Sequence, residues 1–311
     1  MKNKKIAIIG LTGQSIFMEV DHFHNPGETI QAKRVNVEPG GKGYNQAIAC
    51  ARFGMDVAYL TAIGNDNYAK VCEQYMINEK IKTYYCEKND NSAIATILTN
   101  QKGDNKVTVY KGASEKLQLE DLERFKKEIK SSDILLVNNE IPYNILIESI
   151  KYAKENNVYV ILNPAPAIYN LNEILNYIDV LIPNEVEANV IFNNIDNIKI
   201  SNSLKLIITL GSKGCLYIDK DNKKYYEAKK VNVIDTTGAG DVFCAAVSSQ
   251  ILTKTIDEVI NFATNASSIH IQRKYVMEAI PRLHEIEKEC HWHSFLNYNY
   301  KINLNILNTS K

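Results

Sequence analysis

Apolar, β-branched runs recur along the chain at Ile6–Ile9, Val57–Thr61, Ile134–Val137, Val158–Leu162, Val180–Ile182 and Leu206–Leu210. Short runs without polar alternation fit strands buried on both faces. Between them fall amphipathic or apolar stretches of helical length: Gly43–Phe53, Tyr68–Glu79, Leu119–Lys130, Tyr143–Glu155, Glu185–Phe192, Asp241–Leu252 and Ile256–Gln272. This alternation predicts an α/β fold, a doubly wound and mostly parallel sheet with helices on both faces. Two segments, Glu28–Val37 and Ala93–Val109, instead alternate polar and apolar residues, with a turn at Lys102-Gly103-Asp104-Asn105. They predict a small β-sheet lid, over about 14–38 and 92–110, projecting above the C-terminal edge of the main sheet, where such folds bind ligands. No repeat or low-complexity linker divides the chain. One domain is expected over 1–281, followed by a tail, 282–311, that continues no pattern.

Composition narrows the class. A chain of 311 residues with 45% hydrophobic content can bury a large core. Lysine plus arginine and aspartate plus glutamate each total 36, so no general attraction to nucleic acid or an anionic membrane is expected. The six cysteines are scattered without a C-x-x-C pair, which suits reduced thiols and a cytoplasmic location. The N-terminal lysines followed by Ile6–Gly10 have the look of a signal peptide, but the apolar run is too short and reads as a buried first strand.

The most telling chemistry lies in Asp235-Thr236-Thr237-Gly238-Ala239-Gly240-Asp241. It follows a strand-like run, Tyr225 to Val233, and enters an apolar helix. Glycines at a helix start leave N–H groups unpaired, and these, with the helix dipole, attract an anion. A carboxylate beside such a cradle is unfavourable unless it has a task, such as taking a proton from a hydroxyl. The expectation is a phosphoryl-transfer site with Asp241 as base. The plain alternative is a glycine turn with Asp241 as an ordinary first-turn acid.

Three further motifs suit the same chemistry. Pro39-Gly40-Gly41-Lys42-Gly43-Tyr44-Asn45-Gln46-Ala47 opens a helix with glycines and supplies donors from Lys42 and Asn45. It lacks Walker spacing, so a polyol is its natural ligand rather than a triphosphate. Pro183-Asn184-Glu185-Val186-Glu187 follows a strand, and Asn184 and Glu187 share a helical face where they could hold hydrated Mg²⁺. Acids in a first turn also simply complement the dipole. Ile208-Thr209-Leu210-Gly211-Ser212-Lys213-Gly214 turns through two glycines into Cys215–Ile218, as an adenosine pocket or a simple hairpin.

Taken in order, these motifs resemble the ribokinase-like (PfkB) family of sugar and nucleoside kinases, and its ribokinase branch in particular, from about Lys5 to Pro281. Pro26-Gly27-Glu28-Thr29 and Asn163-Pro164-Ala165-Pro166 add to the match. The resemblance implies a Rossmann-like sheet with a β lid, ATP as donor, Mg²⁺, and transfer to a primary alcohol of a sugar. Alternatives are a nucleoside kinase of this fold (pseudouridine-type included) and a non-catalytic ligand sensor. It further implies that Asp241 is the base and that the N–H groups of Gly238, Ala239, Gly240 and Asp241 form an anion hole. Gly41, Lys42, Gly43, Asn45 and Glu140 would face the acceptor. Asn184, Thr209, Gly211 and Gly214 would face ATP, with Glu187 organising Mg²⁺ through water. Asp235 and Thr237 would sit near a monovalent cation such as K⁺.

Departures from the family bear on the substrate. Ribokinases carry Asn-x-Asp after the first strand to grip the sugar diol, whereas Gly13 and Ser15 stand here. That exchange predicts a pocket widened for a bulkier acceptor such as a nucleoside. His22-Phe23-His24 could stack on a base or sugar, or close the lid as an aromatic cluster. Tyr275 stands where relatives have glycine, and a tyrosine resists positive φ, which counts against K⁺ activation. Cys290-His291-Trp292-His293 lacks the spacing of a structural zinc site. Exposed lid edges suggest a homodimer paired lid to lid.

Overall fold

The computed structural model describes residues 3–102, 104–167, 170–195, 198–200 and 203–289. The Cys290–His293 stretch and the rest of the tail beyond 289 lie outside the described residues, as does Gly103 of the predicted lid turn. The first third of the chain forms β1 (Lys5–Ile9), β2 (Gly13–Glu19), β3 (Arg34–Gly40), α1 (Lys42–Arg52), β4 (Asp56–Gly64), α2 (Asn67–Asn78), β5 (Lys82–Lys88), β6 (Ala93–Thr99) and β7 (Asn105–Tyr110). The middle adds α3 (Leu119–Lys130), β8 (Ile134–Asn138), α4 (Tyr143–Glu155), β9 (Tyr159–Asn163), β10 (Val180–Leu181) and α5 (Glu185–Phe192). The last part supplies β11 (Lys205–Thr209), β12 (Cys215–Ile218), β13 (Lys223–Tyr226), α6 (Ala239–Gln250) and α7 (Ile256–His270).

Among the described residues nine strands form one sheet, in the order β13-β12-β11-β10-β9-β8-β1-β4-β5. All pairs from β5 to β11 are parallel, and only β12 and β13 run antiparallel at one edge. β1 illustrates why the central strands read as unbroken apolar runs. Its Ile6 and Ile8 join a core with α1, α6 and α7, whereas Ala7 and Ile9 face α3 and α4 on the other side. Both faces are covered, so both sets of side chains are apolar.

The remaining four strands form the lid, in the order β3-β2-β6-β7. Register puts Ser15, Phe17 and Glu38 on one lid face with Ala95 and Ile97. Phe17 and Ile97 are buried in the core shared with α1 and α6, so this is the inner face. Across it, Phe17 meets the Tyr275 ring at 5.6 Å between centroids.

Some expected boundaries move, for physical reasons. Glu28–Val37 is not one strand; β3 begins only at Arg34, because the preceding loop folds on itself through His22–Glu28 and Asp21–Lys33 pairs. Phe23 lies beneath the Lys106 ammonium, so the His22–His24 cluster closes the lid loop on itself. The run from Tyr225 does not extend to Val233. β13 stops at Tyr226 because its sole partner, β12, is four residues long. β2, inside the expected lid span, and β5 carry mixed patterns without clear alternation, and pairing with neighbours defines them as strands. Residues 282–289 stay packed on the domain, with Ile286 fully buried and Arg273 paired to Glu285.

Candidate active site

α1 starts at a sharp turn whose Gly41 has φ +116°, and a Cβ there would sit 2.8 Å from Leu11 Cδ2. Only glycine allows the backbone to approach this closely. α6 starts at Gly238, φ +78°, where a Cβ would meet Val276 Cγ1 at 2.9 Å. The two helices pack against each other, and this brings Asn45 and Gln46 of α1 onto Asp241 of α6. Asn45 Nδ2 donates to Asp241 Oδ2 at 2.8 Å and Gln46 Nε2 to Oδ1 at 3.4 Å.

The bonds continue through the ends of the central strands. Gln46 Nε2 also donates to Asn163 Oδ1 (3.2 Å), and Asn138 Nδ2 donates to Gln46 Oε1 (3.4 Å). Asn138 Oδ1 accepts the Glu140 N–H (3.0 Å), and Glu140 Oε2 accepts the Lys42 N–H (2.8 Å). A ring of hydrogen bonds therefore runs from the start of α1 through β8 back to the start of α6. It ties the expected residues Lys42, Asn45, Glu140 and Asp241 together, with Gly41 and Gly43 flanking Lys42 in the chain. Asn45 Oδ1 is buried without a partner among the described residues. A buried amide oxygen left unpaired is costly unless a ligand donor meets it.

Electrostatics mark the same spot. Burial lifts the Asp241 carboxyl above its ordinary value, while Lys42, Asn45 and Gln46 pull against the rise. Burial likewise lifts Glu140 to about 7, opposed by the Lys42 charge and its N–H. Burial pulls the Lys42 ammonium down, but the charges of Asp241, Glu140 and Glu187 outweigh it and hold Lys42 above its ordinary value. No carboxylate oxygen lies within 4 Å of the Lys42 ammonium among the described residues. Perturbed groups gathered in one cleft are characteristic of active sites.

The start of α6 has no side-chain cap. Of its first N–H groups, that of Ala239 turns back to Thr236 O at 3.2 Å, and those of Gly238, Gly240 and Asp241 carry no bond among the described residues. A Cβ at Gly240 would meet nothing within 4 Å. That open side belongs to a cavity of about 770 Å³ lined by Thr209, Gly211, Gly214, Tyr225, Ala239 and Gly240 among others, a size suited to a nucleotide. Asn184 stands beside the cavity through a bridge to Thr209, but its side chain caps α5. Glu187 Oε2 accepts the Asn184 N–H at 2.9 Å and Oε1 carries no bond among the described residues. One free carboxylate oxygen fits a water-mediated contact with Mg²⁺ carried by nucleotide phosphates. Among the described residues no cluster of three acidic, histidine or cysteine side chains could cage a metal by itself.

Asp235 and Thr237 serve the neighbouring loops. Asp235 Oδ1 accepts the Thr237 N–H (2.9 Å) and Oδ2 accepts the Tyr275 N–H (3.0 Å). His270 Nε2 lies 2.7 Å from Thr237 O, and facing a carbonyl it must be the donor. Both predicted cation ligands thus already hold the loops together, leaving only second lone pairs for an ion. Tyr275 corrects the sequence expectation outright: it adopts φ +65°. A left-handed tyrosine costs about 1–2 kcal/mol, which the Asp235 bond and the Phe17 ring contact offset.

Gly13 and Ser15 correct another. A Cβ at Gly13 would collide with the Ala93 carbonyl and lie 2.7 Å from Ala93 Cβ, and Ser15 Oγ packs against Gly40. The lid backbone fills these positions, so the exchange does not widen the pocket. Sequence reasoning also missed Glu38. It accepts the N–H groups of Val276 (2.8 Å) and Met277 (3.3 Å) from the far end of the chain, and burial lifts its carboxyl to about 7. No local pattern pairs residues 238 positions apart.

Comparison with known proteins identifies the family. Residues 3–283 match the pfkB family carbohydrate kinase model. The chain belongs to that family. This pfkB-family kinase is 35% identical over 306 residues to a ribokinase of Staphylococcus aureus, covering 91% of this chain and 99% of that one. It is 31% identical over 254 residues to a deoxyribokinase of Salmonella typhimurium, covering 76% and 82%. Among solved structures it is similar to a Thermotoga maritima ribokinase, with TM-score 0.79, 34% identity and coverage of 91% and 98%. An Arabidopsis thaliana ribokinase complexed with ribose and ATP gives TM-score 0.80 at 26% identity, with coverage of 92% and 98%.

Proposed function

We propose that this kinase transfers the γ-phosphate of ATP to a primary alcohol of a sugar, with Asp241 as the general base. The observation that carries this reading is the position of Asp241: buried at the head of α6, held by two amides, and one residue from a glycine open to the large cavity. The acceptor hydroxyl would lie between Asp241 and the phosphate, with Asn45 Oδ1 available to accept from the acceptor. As the oxygen attacks, Asp241 takes its proton, and the free N–H groups of Gly238, Gly240 and Asp241 stabilise charge on the transferring group. Glu187 would help hold Mg²⁺ through water, and the ion would supply further charge neutralisation when bound. The Lys42 ammonium adds positive charge on the acceptor side. Asp235 acts chiefly as a tie between loops, so K⁺ activation would depend on loop carbonyl groups.

The nucleoside reading is less well supported, since the lid backbone closes over Gly13 and Ser15. A sensor would have no use for a restrained carboxylate beside unpaired helix N–H groups. Among the described residues no helix is long and apolar enough to cross a membrane, in keeping with a cytoplasmic enzyme. The deciding experiment is ADP formation with Mg-ATP, with and without K⁺, across pentoses, hexoses, sugar derivatives and nucleosides. Turnover on sugars supports the reading; turnover on nucleosides alone, or ligand binding without turnover, would overturn it.

We also infer a homodimer paired lid to lid. On the outer lid face, Val35 and Val37 are exposed beside half-buried Ile16, Met18 and Leu98, and among the described residues β3 and β7 are the sheet's edges. Sedimentation equilibrium should give twice the chain mass, and Val35→Glu with Val37→Glu should give a monomer.

A further inference from the structure

The turn into α6 rests on two side chains that the proposed reaction leaves unused. A Cβ on Gly238 would meet His270 Nε2 at 3.3 Å and Val276 Cγ1 at 2.9 Å. Both pack against the turn whose N–H groups are proposed to meet the phosphate, so its shape depends on where they are held. His270 ends α7 and is fully buried. Its Nε2–H donates at 2.7 Å to the carbonyl of Thr237, which leads into Gly238. Val276 is held through its backbone, its N–H donating to Glu38 Oε1 (2.8 Å) and the Met277 N–H to Glu38 Oε2 (3.3 Å). Glu38 belongs to β3, the lid strand that runs into the Gly41 turn of α1. It therefore joins the acceptor side of the site to the loop behind α6.

The residues at this turn do not fit the monovalent cation that the family resemblance implies at Asp235 and Thr237. A hard cation gathers several oxygen ligands around itself, and here the oxygens face hydrogen-bond donors instead. The two carboxylate oxygens of Asp235 accept the N–H groups of Thr237 and Tyr275, and those of Glu38 accept Val276 and Met277. Hydrogen bonds to an ionised acceptor are strong, so backbone donors balance both acids. Farther along the loop, Met277 O and Ile280 O accept from Arg52 Nη1 at 2.6 and 2.9 Å. Val276 O accepts the N–H groups of Ala279 and Ile280, each at 3.1 Å. Thr237 O is among the loop carbonyl groups on which K⁺ activation would depend. An ion there would share the oxygen with the imidazole N–H, the positive end of one donor against another positive charge. The His270 ring thus stands where an ion would act and already ties the same oxygen to α7.

We propose that His270 is a positioning residue that holds the turn into α6 in its phosphate-binding shape in place of a monovalent cation, so that the kinase runs at full rate without one. This rests on the phosphotransfer reading of the same site. The test runs the acceptor panel above with Mg-ATP as its Tris salt, at one ionic strength, in potassium chloride and in tetramethylammonium chloride. Wild-type kcat should agree within about twofold, far below the ~10²–10³ that one donor of an anion hole is worth, and a larger gain in potassium overturns the proposal. His270→Ala frees Thr237 O. In tetramethylammonium its kcat should fall roughly tenfold, as for a disturbed donor, with the acceptor KM unchanged. Potassium should return part of that loss, because an ion can now take the freed oxygen. His270→Gln keeps a donor and should restore both the rate and its indifference to salt. A merely structural lesion would lower the rate in both salts alike. That result, or wild-type turnover of His270→Ala in both salts, overturns the proposal. Should His270→Ala not fold, the wild-type comparison decides alone. Turnover on no member of the panel in either salt overturns the kinase reading, and calorimetric binding of ATP then decides on His270. Affinity equal in the two salts and weakened about tenfold by His270→Ala upholds its role. Affinity that needs potassium, or that ignores His270→Ala, overturns it.

Discussion

α6 and α7 pack against each other, yet their N-termini are finished in opposite ways. α7 begins with a complete capping box: Thr255 Oγ1 accepts the Glu258 N–H and Glu258 Oε2 accepts the Thr255 N–H. α6 begins with a left-handed glycine, no side-chain cap, and three N–H groups without partners among the described residues. The first arrangement maximises local stability. The second leaves donors facing a cavity and sets a buried carboxylate among them. A helix end that forgoes its cap inside a protein needs another partner, and here a phosphate is the partner that fits.

The contrast breaks most sharply at Asp241. Asp241→Asn preserves shape and both neighbouring amides, so the protein should fold and still bind ATP. Its kcat should fall at least about a hundredfold, the usual size of a general base's contribution. Near-wild-type kcat, measured alongside calorimetric ATP binding, would remove Asp241 from the base role.

Glu38 extends the comparison from the helix ends to the loop behind them, since the Val276 it holds packs on Gly238. Burial raises its carboxyl to about 7 from an ordinary 4.5. A group raised in the folded state gives stability that is full below its unfolded value and is lost as pH rises through the folded value. Between about pH 4.5 and 7 the wild type should therefore lose, relative to Glu38→Gln, on the order of 3 kcal/mol by linkage. Parallel Tm-versus-pH curves for the two proteins would exclude this.

Gly238→Ala tests the open helix start directly. The alanine must hold φ +78° and meet Val276, at a cost of about 1–2 kcal/mol. Because the strain falls on the proposed anion hole, kcat should drop roughly tenfold, within the range for disturbing one donor. Thermal unfolding and steady-state kinetics check both parts, and a stability loss with unchanged kcat would detach this turn from catalysis.

What could be read in the sequence follows the range of the forces involved. Strands buried on both faces announce themselves as apolar runs, and α3, α4 and α5 end where their periodicity ends. The proposed anion-hole residues are contiguous, so one helix start reveals them together. Asn45 meets Asp241 across 196 positions and Glu38 meets Val276 across 238; no local pattern encodes those pairings. Tyr275 shows the reverse failure. The local rule against positive φ is sound, but a distant carboxylate and a lid aromatic override it. At Gly13 the exchange was legible and its consequence was not, because strand β6 moves into the space.

The mildest test lies on α7. Thr255→Ala removes the side-chain acceptor for the Glu258 N–H at an exposed helix start remote from the cavity lining. Loss of such a cap costs about 1 kcal/mol, so Tm should fall by a few degrees. Turnover at a temperature well below that Tm should stay at the wild-type level, since Thr255 touches none of the residues that hold Asp241. Equal stability losses from Thr255→Ala and Gly238→Ala, with kcat reduced only in the second, would locate the function in the uncapped end. A matching loss of turnover in Thr255→Ala would mean instead that α7 transmits its own integrity to α6, and that the two ends work as one unit.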